Sequence, residues 1–121
     1  MSLKIRLALI IAMLIAWGFP IQAQVLEINP DTKTKGQISQ GDVTAIINVK
    51  KTEDWKPTVT VLVKGKTVGK LEGAESPFPA ALVQITELDP NNPYPEVLLS
   101  SFTGGAHCCN EISVLTALPN L

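Results

Sequence analysis

The single histidine and both cysteines of this chain fall in one seven-residue stretch, Thr103-Gly104-Gly105-Ala106-His107-Cys108-Cys109. Four kinds of chemistry fit these residue types. In an oxidising compartment two thiols form a disulfide. Bonded to each other, Cys108 and Cys109 would make a strained, easily reduced bridge. A trans peptide holds consecutive Cα atoms about 3.8 Å apart, below the usual disulfide range of about 4.4–6.8 Å. Bonded elsewhere, each would need a further cysteine, and this sequence contains none. Two thiolates and an imidazole also suit a thiophilic metal such as Zn²⁺ or Cu(I), although three ligands in succession do not easily face one ion. A catalytic thiol would take His107 as its base. Neighbouring residues of a strand point to opposite faces, so Cys109 rather than Cys108 would share a face with His107. In the plainest reading Gly104 and Gly105 admit positive φ and shape a turn, and the cysteines pack as small buried residues.

A second constellation is Glu87-x-Asp89-x-Asn91, with Glu96 following after Pro90, Pro93 and Pro95. Oxygen ligands at alternate positions of a tight loop, closed by a later carboxylate, are what Ca²⁺ requires. The same residues also make an ordinary Asx/Pro turn. No glycine stands at the bend, and Pro93 and Pro95 restrict the backbone.

Both constellations lie between stretches that read as strands. Thr44–Val49 is β-branched and apolar. Thr58–Val63 alternates, turns at Lys64-Gly65-Lys66 and returns as Thr67–Leu71, which is a hairpin signal; the lysines protect its edge. Ala81–Thr86, Glu96–Phe102 and Ile112–Leu118 follow, and a short strand is expected at Val25–Ile28. Residues 24–42 are rich in turn formers and read as an extended lead-in to a β-rich domain over 43–121. Helical periodicity is weak beyond the first 23 residues. The expected fold is all-β: an antiparallel sheet or small β-sandwich of six or seven strands, or an incomplete propeller-like array. The chain stops just after a strand without a polar tail, which fits a domain end or a truncated longer protein equally.

The N-terminus explains where such a domain would work. Lys4 and Arg6 precede an eleven-residue apolar run, Leu7 to Trp17. Gly18 and Pro20 break the signal helix, and Ala23 offers a small residue for cleavage, so residues 1–23 read as a secretory signal peptide. The run is well short of the roughly 20 apolar residues that span a bilayer. Removing the segment leaves eight basic against eleven acidic residues. That balance gives neither a nucleic-acid footprint nor a polybasic membrane patch. The expected location is periplasmic or extracellular.

The 23 residues ELDPNNPYPEVLLSSFTGGAHCC resemble a pattern in exported bacterial proteins, in which an acidic loop and a strand are followed by S/T-GGAHCC. The first half also resembles the FG-GAP or VCBS repeat, whose acidic loop binds calcium and whose strands build propeller blades. That resemblance places Glu87, Asp89 and Asn91 on the acidic loop and Glu96 on the closing acid. Here Pro90, Pro93 and Pro95 replace glycines or lysine. The functional expectation is a non-catalytic extracytoplasmic binding or interaction module with an extracytoplasmic partner. The alternative is a thiol/disulfide or metal site built on Gly104, Gly105, His107, Cys108 and Cys109.

Overall fold

A computed structural model describes residues 24–77, 80–103 and 110–117. Eight strands occupy them: β1 (Gln24–Ile28), β2 (Lys35–Gln40), β3 (Val43–Lys51), β4 (Trp55–Val63), β5 (Lys66–Glu72), β6 (Ala81–Thr86), β7 (Glu96–Phe102) and β8 (Asn110–Leu115). They form two antiparallel sheets of four strands: sheet I, ordered β1-β6-β7-β8, and sheet II, ordered β2-β3-β4-β5. The expectation of an all-β fold holds, in its sandwich form. The sheets are stacked and do not close into a barrel.

Period-two patterning drives the stacking. In β3 the side chains of Val43, Ala45, Ile47 and Val49 are buried, and in β4 those of Val59, Val61 and Val63. From sheet I, Ile28, Ala81, Val83, Ile85, Val97 and Leu99 meet them in a single cluster. Each fully buried aliphatic side chain stabilises the fold by about 1.5–3 kcal/mol. This is the dominant favourable term in a fold without described helices.

Residues 24–42, expected as a lead-in, are part of the sandwich. β1 pairs with β6, with Leu26 opposite Val83. β2 pairs with β3, with Ile38 opposite Ala45. The turn between them is tied by Asn29, whose side chain accepts the Asp31 N–H at 3.1 Å and whose carbonyl accepts the Thr32 and Lys33 N–H groups. The β4–β5 hairpin turns on Lys64 (φ 52°) and Gly65 (φ 80°), two left-handed residues of the kind a tight hairpin needs. Its register shifts between Val61 and Leu62. The irregularity falls at Val68, which turns against the core. β8 spans Asn110–Leu115 rather than Ile112–Leu118.

Candidate functional site

β7 separates the two constellations. It begins at Glu96 and ends at Phe102, seven residues that rise about 3.3 Å each, or roughly 20 Å. The acidic loop joins Thr86 to its paired residue Glu96. The connection carrying Gly104, Gly105, His107, Cys108 and Cys109 leaves from the other end, between the paired residues Phe102 and Asn110. Those five residues lie outside the described ones. The two constellations are therefore attached at opposite ends of sheet I.

The acidic loop is held by its own hydrogen bonds. Glu96 is 2% exposed. Its Oε2 accepts the Leu88 backbone N–H at 2.7 Å, and its Oε1 accepts the Asn92 side-chain amide at 3.3 Å. Asp89 Oδ1 accepts the Asn91 N–H at 3.0 Å, and the Asp89 carbonyl accepts the Asn92 N–H at 3.0 Å. This is an Asx turn, the local bond that makes Asp and Asn turn formers. Glu87, Asp89 and Asn91 are exposed, while Glu96 faces inward to the loop backbone. Among the described residues, no group of three or more His, Cys, Asp or Glu side chains converges as a metal site would require.

The tightened loop also places Tyr94. Its side chain packs against the core and forms one wall of a cleft of about 430 Å³. The opposite wall is the β4–β5 hairpin, contributing Val63, Lys64, Lys66, Thr67 and Val68, and Ala117 lines it from beyond β8. The lining combines apolar side chains with two exposed lysines, Lys64 and Lys66. Among the described residues, neither Lys64 nor Lys66 has a carboxylate within ion-pair distance; the one salt bridge there joins Lys56 to Glu72 at 3.3 Å.

Sequence reasoning missed this cleft. Lys64 and Lys66 are legible as edge protection and Tyr94 only as a loop residue. Their convergence depends on how the two sheets stack, which no local pattern records.

No family model matches the chain, and no solved structure matches it. A protein of Synechocystis sp. (strain ATCC 27184 / PCC 6803 / Kazusa), described as a "Probable thylakoid lumen protein", is 50% identical over 95 residues, covering 74% of this chain and 28% of that protein. The chain thus spans little more than a quarter of the length of the curated relative it matches.

Proposed function

We propose that this chain is a non-catalytic binding module of an exported, periplasm-like or lumenal compartment, and that its cleft takes a small organic anion with an apolar body. The compartment reading is supported by the export-type N-terminus and by the relative's description as a lumenal protein. The cleft carries the binding reading. Val63, Val68, Tyr94 and Ala117 offer an apolar surface, and Lys64 and Lys66 stand beside it without acidic partners among the described residues. A ligand site combines an apolar lining with a few polar groups that fix orientation, as here.

Octanoate and its uncharged counterpart octan-1-ol separate the contributions. Heteronuclear NMR of the protein titrated with octanoate should move the resonances of Val63 to Val68, Tyr94 and Ala117. Octan-1-ol should bind about ten-fold more weakly. Replacing Lys64→Asn, which tolerates the left-handed backbone, together with Lys66→Gln should remove that difference. Equal binding of acid and alcohol, or shifts that map elsewhere, would refute the site.

A further inference from the structure

Two prolines bracket the aromatic wall of the cleft. In Asn92-Pro93-Tyr94-Pro95-Glu96 each proline ring locks its own φ at about −65° and carries no N–H. Asn92 and Tyr94 both precede a proline, which biases their backbones toward extended conformations. The Tyr94 N–H is therefore the one backbone donor between Asn92 and Glu96, and the segment has few ways to bend.

Asn92 uses that donor. Its Oδ1 accepts the Tyr94 N–H at 3.5 Å, its side-chain amide donates to Glu96 Oε1 at 3.3 Å, and its backbone N–H donates to the Asp89 carbonyl at 3.0 Å. The bond to Tyr94 spans two residues, the Asx pattern that stands in for a backbone turn. At 3.5 Å it is long, so it adds direction more than strength. The other end of the link is firm, because Glu96 is buried and its second oxygen accepts the Leu88 N–H at 2.7 Å. Tyr94 packs against the core and lines the cleft.

We infer that Asn92 is a positioning residue for the cleft: it ties Tyr94 to the Glu96 anchor and so fixes the wall opposite the β4–β5 hairpin. The inference rests on the reading of the cleft as a ligand site, and it gives the acidic loop a role in that site. The loop's own bonds hold Tyr94 in place before any ligand arrives. A ligand then meets a preformed wall and does not bear the cost of ordering it.

Tyr94 is the only tyrosine of the chain, so its ring resonances in NMR report on the wall without a ligand. In Asn92→Ala they should move, and octanoate should bind about three- to ten-fold more weakly. Asn92→Ser, whose hydroxyl makes the same local bond more weakly, should fall between Asn92→Ala and wild type in both readings. Gly73→Ala crowds Pro57 and Ser101 toward the end of β7 remote from Tyr94. It should leave both readings unchanged, which separates positioning from a general loss of stability. Circular dichroism confirms that the variants fold. Ring resonances unmoved in Asn92→Ala overturn the inference. So do resonances moved alike by Gly73→Ala, a serine variant no nearer to wild type than alanine, or a moved ring with unchanged octanoate affinity. A wild type that binds no octanoate refutes the cleft as its site instead, and the ring resonances of the three variants then decide the placement of Tyr94 by themselves.

Discussion

Glu96 reaches back across its own loop to Leu88, accepting the backbone N–H with Oε2 at 2.7 Å while the other oxygen holds the Asn92 amide at 3.3 Å. A nearly fully buried carboxylate thus serves as the anchor of a nine-residue connection between paired strands. Glu96→Ala would leave a part-buried N–H and a side-chain amide without acceptors. Loss of such charge-assisted bonds costs about 2–3 kcal/mol. Glu96→Gln keeps one acceptor and should cost about half as much. Urea denaturation checks both, with the midpoint falling and the slope unchanged. Equal stability of wild type and Glu96→Ala would remove the anchoring role.

The same bonds bear on calcium. A Ca²⁺ site would need Glu96 as a closing ligand together with Glu87, Asp89 and Asn91. In the folded chain Glu96 already answers two donors, Asp89 Oδ1 answers Asn91 N–H, and the other side chains face solvent. Recruiting them would mean breaking the loop's own bonds. A ligand that binds only the native state raises its stability by mass action. Melting curves with millimolar calcium and with chelator should therefore coincide. A rise of several degrees with calcium would show that the loop rearranges around the ion.

Much of the sandwich was legible in the sequence, for a physical reason. β3, β4 and β6 bury alternate side chains, and alternation is a local signal. β2 was not legible. Lys-Gly-Gln-Ile-Ser-Gln has low strand propensity and two turn-forming residues, and its place is set by pairing with β3. Tertiary pairing outweighs local propensity there. The acidic loop is legible as an Asx/Pro turn or a calcium-like loop, with Glu96 as the candidate closing acid; what the sequence does not give is that Glu96 accepts two hydrogen bonds from within the loop. Sequence spacing gives the residue type at a position without giving which groups it faces.

Gly73 sets a contact between the sheets that no side chain can replace without cost. It is buried just beyond β5, and its N–H donates to the Pro57 carbonyl at 2.9 Å. A Cβ there would stand 2.6 Å from Pro57 Cγ and 2.7 Å from Ser101 Oγ. The proline ring cannot rotate away. Ser101 cannot move freely either, because its hydroxyl oxygen accepts the Ala74 N–H at 3.1 Å. Gly73→Ala should cost about 1–3 kcal/mol by overpacking. Gly65→Ala, with nothing within 4 Å of its Cβ, should cost about 1 kcal/mol from its left-handed backbone alone. Thermal denaturation of both variants distinguishes the crowded site from the strained one.

The final prediction concerns Cys108 and Cys109, which lie outside the described residues. The export reading proposed above puts the chain in an oxidising compartment, and this sequence offers the two cysteines no other partner. They should therefore be oxidised in protein isolated without reductant, within one chain most simply, with pairing between two molecules as the competitor. A bridge between neighbours closes almost no loop, so it removes little entropy from the unfolded state. Changing both residues to serine should shift stability by on the order of 1 kcal/mol where the pair is exposed. The cost should be several times larger where it is buried, because two hydroxyls would then need partners. The conclusion matters for His107, whose direction such a bridge would fix. Non-reducing mass analysis reads the oxidation state directly. Two free thiols per chain, titrated under denaturing conditions without reductant, would refute the bridge and favour a metal site or a packed pair.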